Sequence, residues 1–323
     1  MRRVVWSVLT GLGVFFIVLA ILSKFYVPGQ AVKFPLNEYS VSTLQASNAE
    51  WFSPKSVSEL QGVTLQVTST VKGDVSQADQ LGSSKIAVWQ SFAAIEDITD
   101  HQQVSVPAAG DVFAFDRKTG VLVPWSGNSV DGKHVSVSGQ GFVWPLGAKK
   151  QSYQVFDTTL LKPVTFAFKG TATTNGTPTY EYMANIPSQQ VGTQTLPGAL
   201  VNLSAATVTL PEFYSAQETY FVDPITGAPL SVERKTQDVL KDSSGATRLV
   251  LLNATFKSTA DSIAAGVKSD NKYRNEIILA TSIVPVVAGV LGIILLVIGL
   301  VLSRTRPEDE EYEEEDEPVS SSV

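Results

Sequence analysis

The sequence predicts a mainly β, α+β fold. It describes an extracytoplasmic domain of curved antiparallel sheets, with two related lobes as one reading, between an N-terminal and a C-terminal transmembrane helix. Three observations carry this prediction. Uncharged apolar runs lie near both ends of the chain, the long stretch between them alternates apolar and polar residues at period two, and Gly, Pro, Asn, Asp and Ser clusters interrupt that alternation.

The first element is the run at 4–22, "VVWSVLTGLGVFFIVLAIL", and the last is "IILATSIVPVVAGVLGIILLVIGLVL" at 277–302. Each is long enough to cross a hydrocarbon core of about 30 Å at about 1.5 Å per helical residue. Arg2 and Arg3 would also suit a signal peptide, but the first run exceeds the usual apolar core of such a peptide and no Ala-x-Ala site follows it. Arg2 and Arg3 precede the first span, and Arg304 and Arg306 follow the second. That bias predicts a two-pass plasma-membrane protein with both termini cytoplasmic. The expected layout is a cytoplasmic N-terminus (1–3), a span (4–23), the β-rich ectodomain (24–257), a juxtamembrane helix (258–276), a second span (277–302) and an acidic tail (303–323).

Within the ectodomain, "VTLQVTSTV" (63–71) and "VTFAFKG" (164–170) alternate as half-buried strands do, and similar segments follow at 85–92, 111–115, 179–186, 218–222, 230–235 and 247–256. "SGNSVDGK" (126–133) and "TTNGTP" (173–178) read as turns. "SPKSVSELQG" (53–62) reads as a short helix, with Ser53 as N-cap, Pro54 in the first turn and Gly62 as stop. "STADSIAAGVKSDNKYRNE" (258–276) reads as a helix that can continue into the second span, where Pro285 should kink it.

Two segments share the form Asp-x-x-Thr-Gly: "FDRKTG", with Asp116, Thr119 and Gly120, and "VDPITG", with Asp223, Pro224, Thr226 and Gly227. In each, the carboxylate can accept backbone hydrogen bonds and the glycine supplies a left-handed conformation, so both read as structural hairpin tips. Similar strand candidates precede each tip, which suggests two similarly built lobes.

The net charge of −7 is concentrated at one end. Residues 24–276 carry 20 basic and 22 acidic side chains, whereas 308–317 alone holds nine acids. A nearly neutral ectodomain offers nothing to nucleic acid. The acidic run, which includes Tyr312, reads either as a docking tail for a basic cytoplasmic partner or as a solubilising tail. With no cysteine, disulfides, thiolate metal sites and cysteine nucleophiles are excluded. The histidines, His101 and His134, have no partners at metal-ligand spacing. "IEDITDH" (95–101) gathers Glu96, Asp97, Asp100 and His101, which fits a solvated loop better than a site. No phosphate loop, nucleophile elbow or His-Glu-x-x-His occurs, so no catalytic residue, metal or cofactor is expected. Small residues at four-residue spacing, Ser7 with Gly11 and Ala288 with Gly292, would let the two spans pack closely.

From Phe142, Trp144 and Pro145 through Lys149, Lys150, Tyr153, Phe156 and Asp157 to the Asp223–Gly227 turn, the sequence resembles a family of actinobacterial two-pass membrane proteins often labelled the porin PorA family. Leu146 stands where an aromatic is expected. The resemblance covers nearly the whole chain in order and topology, and it implies a role in a cell-envelope pore. Two helical spans in a monomer cannot enclose an aqueous channel, so that role would need an oligomer. The layout is similar to class B scavenger receptors, and the Asp-Pro-x-Thr-Gly hairpin is similar to one in lipoprotein carriers and mycobacterial lipid-binding lipoproteins. These likenesses imply an ectodomain that binds or passes lipid or another apolar envelope component. The alternatives are an oligomeric porin subunit and a structural or signalling protein acting through its tail. Trp144, Phe166 and Phe168 are the candidate lining residues, although they read better as ordinary core.

Overall fold

The computed structural model describes residues 2–30 and 32–304. Its helices are α1 (Arg2–Phe25), α2 (Val27–Gln30), α3 (Val75–Gln80), α4 (Ala260–Ile278) and α5 (Val284–Arg304). Its strands are β1 (Tyr39–Ser53), β2 (Ser58–Gly73), β3 (Ile86–Asp97), β4 (Gln102–Ser105), β5 (Asp111–Asp116), β6 (Ser129–Val130), β7 (Lys133–His134), β8 (Tyr153–Asp157), β9 (Lys162–Thr174), β10 (Thr177–Pro197), β11 (Thr207–Val222), β12 (Pro229–Lys241) and β13 (Thr247–Ser258). These elements form two compact units, one of terminal helices and one spanning Val32–Ile277. The acidic run at 308–317, with Tyr312, and Arg306 lie outside the described residues.

In the helical unit, α1 and α5 pack antiparallel, and their glycines show why. A Cβ on Gly13 would meet Leu296 N at 2.7 Å and Gly292 O at 2.9 Å. One on Gly299 would meet Thr10 N at 2.9 Å. Such contact needs small residues at the crossing, as in membrane helix pairs. Ala288 and Gly292 are buried there as the spacing predicts, but Gly11 has open space around it and Gly13 takes its place. In the second helix the irregularity is a π-helical turn, Leu279–Ile283, just before Pro285. Pro285 has no N–H to give the Thr281 carbonyl four residues back. That carbonyl accepts from Lys24 Nζ at 3.3 Å.

The β unit is a single antiparallel sheet of 13 strands, ordered β7-β6-β5-β3-β2-β1-β13-β12-β11-β10-β9-β8, with β4 on β3. It contains two meanders, β1 to β7 and β8 to β13, joined edge to edge where β1 pairs with β13. The sheet does not close as regular strands. Only single bridges, Phe115 to Leu122, Val121 to Gln140 and Gln140 to Val155, carry the pairing from β5 across to β8. The predicted turns are type I′-like: Asp131–Gly132 and Asn175–Gly176 all have positive φ.

Two sequence expectations need correction. Residues 53–62 form the β1–β2 hairpin instead of a helix. Ser53 Oγ accepts from Ser56 N at 3.3 Å, capping a turn, and Ser58, Glu59 and Leu60 then pair with Ser53, Phe52 and Trp51. Ladder pairing beside buried Trp51 outweighs the local capping preference. β1 itself went unpredicted because a bulge at Asn48 (φ 56°) changes its phase, from a buried Ala46 to a buried Ala49 and Trp51.

Candidate functional site: two clasped turns and an apolar groove

The Asp-x-x-Thr-Gly turns share one hydrogen-bonding scheme. Asp116 Oδ1 accepts from Lys118 N (3.0 Å) and Thr119 N (2.9 Å), and Asp223 Oδ1 accepts from Ile225 N (2.6 Å) and Thr226 N (3.2 Å). Gly120 N and Gly227 N each donate to the carbonyl of their own aspartate at 2.9 Å. Gly120 and Gly227 stand at φ 68° and 73°. Burial raises the Asp116 carboxyl, but the Thr119 and Lys118 amides outweigh it and hold the group below its ordinary value.

One connector, residues 139–147, is pinned by both tips at equivalent carbonyls. Gly141 N and Leu146 N donate to Gly120 O (3.2 Å) and Lys118 O (2.9 Å). Trp144 N and Gly147 N donate to Gly227 O (2.9 Å) and Ile225 O (3.0 Å). The glycines are required by this approach as well as by φ: a Cβ on Gly120 would lie 2.6 Å from Val143 O, and one on Gly227 would overlap the Trp144 carbonyl.

Each tip also holds one end of the domain. At the first, Phe34 N donates to Arg117 O (2.7 Å) and Arg117 Nε returns a bond to Phe34 O (2.6 Å). At the second, Asp223 pairs with Arg274 of α4, and Thr226 Oγ1 donates to Asp270 Oδ1 at 2.5 Å. Tyr273 Oη donates to Lys33 O at 2.8 Å and so ties the two ends together. Pro224 occupies the position of Arg117 and contributes a preset φ in place of a clasping side chain.

The candidate lining residues sit beside the second tip. Trp144 and Phe166 are only 2% and 3% exposed. Trp144 stacks on Tyr182 (centroids 5.6 Å, 20°) and meets Phe166 edge-on at 6.0 Å. Phe168, partly buried, packs against Tyr180 and Tyr182. A second aromatic cluster, Phe34, Trp89, Phe113, Phe115 and Phe156, lies against the first tip. None of these residues borders an open groove described below.

Open apolar space lies at the opposite ends of the strands. A groove of about 350 Å³ is lined by Phe52, Leu196, Leu200, Leu240, Leu249 and Leu251, with Gln194 and Thr195 also on its wall. Beyond Trp51 and Pro54 it adjoins a polar hollow of about 290 Å³ bordered by Ser53, Lys55, His101, Gln102 and Gln103. The acids of "IEDITDH" do not converge there. Asp97 is fully buried and shapes a turn, accepting from Trp51 Nε1 (2.9 Å), Thr99 N (2.9 Å) and Asp100 N (3.3 Å). Among the described residues, no group of three His, Asp or Glu side chains could hold a metal ion.

Sequence reasoning missed the groove because its residues come from β1, β4, β10, β12, β13 and the 3-10 turn Gly198–Val201. The one available signal was the leucine run in "RLVLLNATF", where Leu249, Leu251 and Leu252 break strict alternation at a bulge opposite Asp238 and Val239. Asp270 and Arg274 are four apart on α4, a spacing that marks one helix face without saying what that face meets.

No curated protein matches the chain. The family model described as Porin PorA matches residues 7–301. With that match running from within the first apolar helix to near the end of the last, over the whole sheet with its paired tips, the chain belongs to the Porin PorA family.

Proposed function

We propose that this protein is a membrane-anchored, non-enzymatic component of a cell envelope whose ectodomain holds the acyl part of a lipid in the leucine-lined groove. The single observation that carries this reading is the groove, where Phe52 and five leucines (Leu196, Leu200, Leu240, Leu249 and Leu251) brought from separate elements form a mainly apolar wall beside Gln194 and Thr195. Leaving such surface in water costs about 25 cal/mol per Å². A hydrocarbon occupant would recover that cost, and about 350 Å³ is within the range of small-molecule sites. Both termini are placed in the cytoplasm, in accord with Arg2, Arg3, Arg304 and Arg306. The tail at 308–317 would then be available to a basic partner there.

Native mass spectrometry of the full-length protein in detergent tests this. The wild type should retain apolar adducts and exchange them with a fluorescent fatty acid, and Leu200→Glu with Leu251→Glu should abolish both. A wild type that carries no adduct and takes up no probe would sink the reading.

Family membership favours a second reading, an oligomeric pore subunit. The contact of Gly13 with Gly292 fills the space between the two spans, so the conduit would have to form between copies. Stepwise conductance in planar bilayers would support it, and silence at high protein loading would count against it.

A further inference from the structure

We infer that the second turn and α4 form a proton-dependent clasp: protonated Asp270 lets the Asp223–Gly227 tip hold the helix that leads into the C-terminal span, and ionised Asp270 weakens that hold.

The geometry is specific. Asp270 is 7% exposed and Asp223 is fully buried. One cation, Arg274, pairs with Asp223. Asp270 Oδ1 accepts from the Thr226 hydroxyl, while Oδ2 is buried with no donor beside it. A buried carboxylate oxygen without a donor is costly unless that carboxyl carries a proton. The neighbouring Asp223 adds a like charge. Of the charged side chains on the tip, on α4 and on the 144–149 segment packed against them, only Asp223 and Arg274 bear on Asp270. The remaining contact of this helix face, Thr177 Oγ1 to Asn271 Oδ1 at 3.4 Å, is uncharged. Burial first, and then the Asp223 charge, push the Asp270 carboxyl up to about 7.

The sign follows from proton binding. With the helix docked, Asp270 keeps its proton to about pH 7, and with the helix free it loses it near the ordinary value of 3.8. Between those values the docked state binds more protons, so docking is strongest in acid. It should weaken about tenfold per pH unit until the docked group has ionised, and then level off. The first tip is the internal control. Its Thr119 hydroxyl turns back onto Asp116 at 3.0 Å, and a main-chain and arginine clasp replaces the acid pair.

Hydrogen exchange of the full-length protein in detergent, with each rate divided by the intrinsic amide rate at that pH, tests the clasp between pH 5 and 8. Protection of residues 225–228 and 268–277 should fall about fiftyfold from pH 5 to 7 and level off by pH 8, while residues 116–121 stay constant. Asp270→Asn, which keeps the acceptor for Thr226 and cannot ionise, should hold high protection throughout. Unchanged wild-type protection across the range would overturn the proposal, and so would a loss that persists in Asp270→Asn. Neither result bears on lipid retention, which is read at the other end of the sheet.

Discussion

Substituting Gly227 by alanine tests the paired-tip architecture most directly. The left-handed conformation at φ 73° costs an alanine about 1–2 kcal/mol. That cost applies equally to Gly245, at φ 84° in the β12–β13 turn, where a new Cβ would meet nothing within 4 Å. At Gly227 the Cβ would overlap the Trp144 carbonyl and approach that of Pro145 to 2.8 Å. These are main-chain atoms, so the connector itself must move. Moving it breaks the bonds from Trp144 N to Gly227 O and from Gly147 N to Ile225 O, each worth about 1 kcal/mol net. It also loosens Trp144 from Tyr182 and Phe166. Gly227→Ala should therefore cost about 3–5 kcal/mol, against about 1–2 kcal/mol for Gly245→Ala. For a domain of this size, that is a fall in melting temperature of roughly 6–20 °C against about 2–8 °C. Thermal unfolding of the full-length protein, followed by tryptophan fluorescence and near-ultraviolet circular dichroism, measures both. If Gly227→Ala melts no lower than Gly245→Ala, the connector does not depend on that close approach and the reasoning fails.

Other outcomes follow from single contacts. Because the chain contains no cysteine, Ala20→Cys with Gly289→Cys creates one unique pair. The Gly289 Cβ would lie 3.7 Å from that of Ala20, within disulfide range, so oxidation should cross-link the spans; adding Gly292→Leu should abolish the band, and a band that survives would refute the antiparallel packing. Trp51→Phe removes the indole donor from fully buried Asp97 and should lower unfolding stability by about 1–3 kcal/mol in urea titration, whereas a neutral result would mean that this bond adds nothing. Arg117→Ala removes the guanidinium bonds to Phe34 O and Ser84 O, so amide exchange at 34–36 should quicken while that at 225–228 stays unchanged. Equal acceleration at both tips would show that they do not act separately.

Much of the fold could be read along the chain because its signals are local. The apolar runs, the alternation of β2 and β9, the Asp-Gly and Asn-Gly turns and both Asp-x-x-Thr-Gly tips each depend on a few consecutive residues. The losses were equally local in origin. The bulge at Asn48 hid β1, and the capping pattern at Ser53 imitated a helix start because a hairpin turn uses the same side-chain bond.

Sequence by itself determined two apolar helices, a cysteine-free and nearly neutral β domain, an acidic end and two repeated turns, all consequences of hydropathy, charge and short-range backbone preference. Only the tertiary structure decided that the two meanders join as one sheet through β1 and β13, and that one connector is pinned by both turns. It alone placed Asp270 against Asp223 and brought leucines from distant strands to one groove. Those outcomes depend on pairings between residues tens to hundreds of positions apart. Such pairings are selected by burial and by hydrogen-bond satisfaction across the whole domain, and no short stretch of sequence contains them.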